Sequence, residues 1–251
     1  MVGKRWLCLW AALCLFCSCT LRVSAAPEDS GAAGTEPDDA ASLHAREEEE
    51  AFRQQEALAA FLLIVDLPGP ETELYQAVQW AWCHNPAITQ GVAPDKFAPD
   101  NPCKKAYIIT FIWRACGCPK PSNEDFFVDM DGLNPNFKTA AHWAREAGLL
   151  GKDFETCKTF EPNEVCTRGD VALYLWRLSG SPTMDLSQMP FDDIANDDLD
   201  LLYAIEWAVE QGVTNGKQPT KFCPYDACTR GHIVRFLSRY DKEVGFQGFI
   251  L

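Results

Sequence analysis

The chain has 251 residues, 47% of them hydrophobic, with eight Trp and fifteen Phe, which is enough for a sizeable core in one or two domains and excludes disorder throughout. A formal net charge of -14 argues against nucleic acid as a partner, because phosphate calls for a basic surface. Twelve cysteines are many for a reducing compartment and point to export or to metal.

Lys4 and Arg5 precede an apolar run from Trp6 to Cys19, and Val23-Ser24-Ala25-Ala26 follows it. A charged start, a short apolar segment and an Ala-x-Ala-like site predict a secretory signal peptide over residues 1–25. The run is short for a bilayer span of about 20 residues. An uncleaved anchor and a lipoprotein are the alternatives, and Phe16-Cys17-Ser18-Cys19 matches a lipidation signal poorly. Cleavage removes Lys4, Arg5 and Arg22, taking the net charge from -14 to -17, and removes Cys8, Cys14, Cys17 and Cys19, leaving eight cysteines. No second long apolar run exists, so no membrane span is expected after cleavage.

Residues 26–42 are rich in Pro, Gly, Ala, Ser and acids and read as an acidic, disordered linker. The next segment, residues 43–62, is built from Ala, Glu, Gln, Leu and Arg and predicts a lead-in helix. Its run Glu47 to Glu50 offers a surface for a protein partner. A coiled coil or a membrane-surface helix is unsupported, since apolar heptads are not sustained and the polar face is acidic.

The remainder repeats itself in three units, assigned to residues 63–120, 121–184 and 185–251. Trp80, Trp143 and Trp207, each followed by Ala, stand 63 and 64 residues apart. Phe97-Ala98-Pro99, Phe160-Glu161-Pro162 and Phe222-Cys223-Pro224 follow at spacings of 63 and 62. Cys103-Lys104-Lys105, Cys166-Thr167-Arg168 and Cys228-Thr229-Arg230 keep the same register. Val65-Asp66, Val128-Asp129 and Asp192-Asp193 open the units.

Each unit predicts a first amphipathic helix (residues 71–83, 134–147 and 199–211), with Leu202, Ile205, Ala208 and Val209 on one stripe of the third. Gly91, Gly148 and Gly212 mark the helix ends, where positive φ is needed. Thr167 and Thr229 are good N-caps for second helices over 167–178 and 229–240. A helix–loop–helix cannot bury its own stripe, so the three units should pack as one all-α body.

Taken together, these phrases resemble the S-layer homology (SLH) module of bacterial surface proteins, with a match over about residues 63–246 and the clearest unit at Phe191–Gly231. The resemblance implies a pseudo-threefold helical body whose grooves hold an acidic cell-wall polysaccharide bearing ketal-linked pyruvate, with no cofactor. It further implies that the basic residue of the Thr-Arg phrase recognises the anion, which here means Arg168, Arg230 and, in altered form, Lys105. A helix N-terminus and a guanidinium fork both favour a carboxylate. The repeat-opening Asp66, Asp129 and Asp193 are added to the candidate ligand-binding set, with pairing of the arginines to these aspartates or to other acids as the alternative role. The first unit departs from the pattern with Lys104-Lys105, and the last two carry Gly169-Asp170 and Gly231-His232 where the module has Ala-Glu, so unequal grooves are expected.

The cysteines flank equivalent loops, which proposes the disulfides Cys157–Cys166, Cys223–Cys228 and, by analogy, Cys83–Cys103, leaving Cys116 and Cys118. Zinc is disfavoured because the eight remaining cysteines lack Cys-x-x-Cys spacing, and calcium because no EF-hand pattern exists. His84, His142 and His232 are scattered without a nucleophile motif, so no enzyme is expected. Two functions remain: non-covalent attachment to cell-wall polysaccharide at the bacterial cell surface, or a structural protein-interaction role on the same scaffold with sugar binding lost.

Overall fold

A computed structural model describes residues 37–195 and 198–246. The expected signal peptide and linker residues 26–36 lie outside the described residues. The chain divides into two compact units between Glu47 and Glu48, and the first contributes only the opening turns of a helix to what is described.

The fold is all-α, with seven α-helices and no strand among the described residues. They are α1 (Pro37–Phe61), α2 (Glu73–Cys83), α3 (Lys105–Ala115), α4 (Pro135–Glu146), α5 (Arg168–Leu178), α6 (Leu199–Glu210) and α7 (Arg230–Glu243). The linker expected through residue 42 ends sooner, because α1 already begins at Pro37. Proline is tolerated in a first helical turn, where its missing N–H would lack a partner anyway. The exposed middle of α1 leads to Phe61, which is buried with its ring centroid 5.0 Å from that of Tyr75 and 6.4 Å from that of Trp82.

The helices pair in a closed cycle: α3 packs on α4, α5 on α6, and α7 returns to α2. The second helix of each unit thus covers the first helix of the next. The same cycle is drawn in backbone hydrogen bonds. Cys166 N–H donates to Cys103 O (3.1 Å), Cys228 N–H to Cys166 O (2.8 Å), and Cys103 N–H to Cys228 O (2.8 Å).

The start of each second helix is stitched to the next unit's Phe-x-Pro loop. Lys105, Arg168 and Arg230 N–H donate to Glu164 O, Asp226 O and Asn101 O at 2.8, 2.9 and 3.0 Å. Their successors Ala106, Gly169 and Gly231 donate to Pro162, Pro224 and Pro99 carbonyls at 3.2, 2.8 and 2.7 Å. A helix start leaves its first N–H groups without intrahelical partners, and here neighbouring loops supply them. Gly169 and Gly231 permit the closer approach: a Cβ on Gly169 would lie 3.0 Å from Leu201 and 3.1 Å from Pro224 O. Thr167 and Thr229 accept from the N–H of Asp170 and His232 in complete capping boxes, whereas Lys104 has no side-chain cap.

The repeated aromatics form the core. Phe97, Phe160 and Phe222 are fully buried, as is Trp143, with Trp207 nearly so. Trp113 and Trp176 close the ends of α3 and α5 by donating from Nε1 to Pro119 O and Pro182 O, each at 2.8 Å. Gly91, Gly148 and Gly212 all take positive φ, 79°, 73° and 70°.

Candidate anion-binding groove

The three basic residues of the repeated phrase open α3, α5 and α7 and lie almost buried: Lys105 at 7%, Arg168 at 5% and Arg230 at 6% exposure. Each reaches across a unit boundary to a Phe of the next Phe-x-Pro loop. The Arg168 guanidinium sits 4.8 Å from the Phe222 ring centroid and 5.6 Å from that of Phe236. Its Nε donates to Phe222 O (3.2 Å) and Nη2 to Asn215 O (3.0 Å). Nη1 has no hydrogen-bond partner among the described residues. Burial draws the Arg168 pKa below its ordinary value, so the guanidinium is poised to gain from an anionic neighbour.

Beside it lies a cavity of ≈ 180 Å³, walled by the loop from Thr214 to Lys217 and by His232, Arg235, Phe236 and Arg239 of α7. Four cations and one imidazole line it, and no carboxylate does. Two of those cations are spent elsewhere. Lys217 pairs with Asp226, and Arg239 grips Glu73 through bonds of 2.5 and 2.8 Å. Arg235 has no carboxylate partner among the described residues. Only its Nε is engaged, donating to Gly231 O at 3.2 Å.

His232 completes the wall. Its Nδ1 accepts the Thr229 N–H (3.3 Å), so the proton of the neutral ring resides on Nε2. Burial first, then the charges of Arg235, Arg168 and Lys217, push its pKa down to about 4. The lowered pKa reflects burial first and the surrounding positive charge second.

The other two junctions differ. Arg230 repeats the stack, 4.8 Å from Phe97 and 5.6 Å from Phe111, and donates to Phe97 O (2.8 Å) and Thr89 Oγ1 (3.2 Å). Thr110 stands at the position equivalent to Arg235, buried and bonded to Ala106 O, so no cation stands there, and Arg114, the equivalent of Arg239, donates to Ile88 O at 3.1 Å. Lys105 is neutralised by Glu164 (2.6 Å) and Glu161 (3.6 Å), and the equivalents of His232 and Arg235 are Asp170 and Leu173.

The candidate aspartates occupy another role. Asp66 accepts from Phe97 and Ala98 N–H at 2.8 and 2.7 Å, Asp129 from Phe160 and Glu161, and Asp193 from Phe222 and Cys223 at 3.0 and 2.7 Å. Each carboxylate holds a residue in the left-handed region, Ala98, Glu161 and Cys223 at φ 57°, 60° and 58°. Direct pairing of the aspartates with Lys105, Arg168 or Arg230 does not occur: no such ion pair forms among the described residues. The α5 N-terminus does not offer a bare anion cradle either. Its first three N–H groups go to Asp226 O, Pro224 O and Thr167 Oγ1.

All eight described cysteines are free, so the pairs Cys157–Cys166, Cys223–Cys228 and Cys83–Cys103 are not bridged in this structure. Cys103, Cys166 and Cys228 are buried where the three units meet, whereas Cys157 and Cys223 lie in partly exposed loops, with the Cys157 thiol bonded to Thr159. No cluster of three or more His, Cys, Asp or Glu suited to a metal exists among the described residues. No helix among them is long and apolar enough to cross a membrane.

Sequence reasoning named Arg168 but missed His232, Arg235 and Arg239 as its companions. Their signal was present: with Phe236 they fall at helical spacings of three and four on one face of α7. No family model matches the chain, and no curated protein matches it.

Proposed function

We propose that this chain is a secreted, non-enzymatic protein of the bacterial cell surface that binds an acidic cell-wall polysaccharide non-covalently through SLH-like units. The observation that carries this reading is the groove at Arg168, in which two guanidinium groups without a direct ion pair among the described residues line a cavity that no carboxylate lines. In a chain of net charge -14 such a local concentration of positive charge favours an anionic ligand. The repeated phrases resembling the SLH module supply the polymer class, and the export signal read at residues 1–25 supplies the location. The acid would be a sugar-borne carboxylate such as a pyruvate ketal, held by charge-assisted hydrogen bonds.

The test is co-sedimentation of the purified mature protein with cell-wall sacculi. Retention on intact sacculi and loss on sacculi stripped of their polysaccharide supports the reading. Absence of retention on intact sacculi overturns it. The alternative, a protein-interaction scaffold, draws on the Lys105 junction, where Glu161 and Glu164 already fill the anion's place.

A further inference from the structure

Resting on the polysaccharide reading, we infer that Arg235, together with the Nε2–H of His232, makes the direct contacts to the sugar's acid group, and that the Arg168 groove is the single competent site of the three. Arg168 is the residue its sequence phrase nominates, yet it is largely consumed by the fold. Two of its nitrogens hold Phe222 O and Asn215 O, its plane lies over Phe222, and its exposure is 5%. What remains is Nη1 and a buried charge. Arg235 is the reverse: half-buried, lining the cavity, and bonded only through Nε to its own helix, with no hydrogen-bond partner for either terminal nitrogen among the described residues.

His232 adds a neutral donor of known tautomer. Because Nδ1 is committed to the Thr229 N–H, the remaining ring nitrogen carries the proton and can only donate. Two guanidinium groups and one N–H donor around ≈ 180 Å³ match the several acceptor lone pairs of one carboxylate. Arg239 and Lys217 keep the rim positive, but each already has a carboxylate, Glu73 and Asp226. Groups facing the imidazole from neighbouring elements are Arg168 of α5, Lys217 of the loop and Asp100 of the first unit's loop.

The exclusivity follows from the equivalent positions. Where Arg235 stands in α7, α3 has buried Thr110 and α5 has Leu173. The Arg230 junction therefore lacks the Arg235 guanidinium: its arginines are Arg230, bonded to Phe97 O and Thr89, and Arg114, the counterpart of the rim residue Arg239, which donates to Ile88 O; the Lys105 junction is neutral or acidic.

The experiment titrates the mature protein calorimetrically with a methyl hexoside carrying a 4,6-pyruvate ketal, using its methyl ester as the uncharged control, and repeats the sacculus assay with each variant. Expected are one equivalent bound, no binding of the ester, and a roughly 10- to 100-fold loss of affinity in Arg235→Ala, as for removal of a hydrogen bond to a charged group. Arg235→Lys should recover part of that loss, and His232→Gln, which can still close the capping box, should lose less than Arg235→Ala. Far-UV circular dichroism and urea midpoints check that the folds are intact. Three equivalents bound, or Arg235→Ala retained on sacculi as well as wild type, overturns the inference and leaves the polysaccharide reading standing. Wild type that ignores intact sacculi overturns the reading and the inference with it.

Discussion

Arg168 lies across a unit boundary with its guanidinium 4.8 Å from the ring centroid of Phe222, and it donates from Nε to the carbonyl of that same residue. Arg230 repeats both contacts on Phe97. One side chain thus fills two roles, as the clasp between consecutive units and as a source of positive potential. A deletion at Arg168 confounds the two roles, whereas Arg235 separates them.

The seam predicts a stability hierarchy. Arg230→Ala empties a buried stacking position and leaves Phe97 O without its donor, so a loss of about 2–4 kcal/mol is expected. Arg230→Lys should recover only part of it, because an ammonium lacks the planar fork. Arg235→Ala should stay within about 0.5 kcal/mol of wild type, as for a surface change away from such features. Urea denaturation of the three variants measures the order. An Arg235→Ala loss equal to that of Arg230→Ala would make Arg235 structural.

Gly169→Ala tests close approach against helix propensity. Propensity alone predicts a gain of roughly 0.5–1 kcal/mol for Gly→Ala within a helix. The new methyl, however, would meet Leu201 at 3.0 Å and Pro224 O at 3.1 Å, loosening the 2.8 Å bond from Gly169 N–H to that carbonyl. A net loss of about 1–2 kcal/mol is expected, read from the thermal or urea midpoint.

His232 sets a pH dependence. Its folded pKa, about 4, lies below the ordinary histidine value, so between those limits the unfolded chain binds more protons. Stability from this group is full above about pH 6.5 and is lost as pH falls toward 4, on the order of 2 kcal/mol after allowance for solvent screening. Protonation also removes the Nδ1 acceptor of the capping box. His232→Gln should flatten the slope of stability against pH in this window. Saturation of the groove with the ketal glycoside should raise the imidazole pKa, which proton NMR follows directly.

The thiols predict their own labelling pattern. Burial pushes Cys103 and Cys228 up to about 12, and Cys166 also moves upward, so thiolate is scarce at these positions. In native buffer at pH 8, Cys157 in its partly exposed loop should alkylate well before those three, and denaturant should expose all eight cysteines of the mature chain. Intact mass after alkylation without reduction counts them. Fewer than eight adducts in denaturant would mean that disulfides form in the isolated protein.

The sequence by itself determined the all-α character, the Thr167 and Thr229 caps and the burial of Phe97, Phe160, Phe222, Trp143 and Trp207, whereas Trp80 stays half-buried with its Nε1–H on Asp241. These depend on local chemistry: helix periodicity, a hydroxyl placed before a helix, an apolar ring at a fixed place in a unit. Arg168 was legible as well, because its phrase recurs. What the aspartates do was decided only by the tertiary structure. A carboxylate near a unit start can pair with an arginine or cap a turn, and it was the loop 31 residues onward, folding back with two converging N–H groups, that selected the second role for Asp66 and Asp129. That the grooves differ was legible in Lys105, Asp170 and His232, but the charge of each groove had the same origin as the role of the aspartates. Each groove joins residues from two units, so its charge depends on which helix faces which loop, and that pairing exists only once α3, α5 and α7 have closed the cycle on α4, α6 and α2.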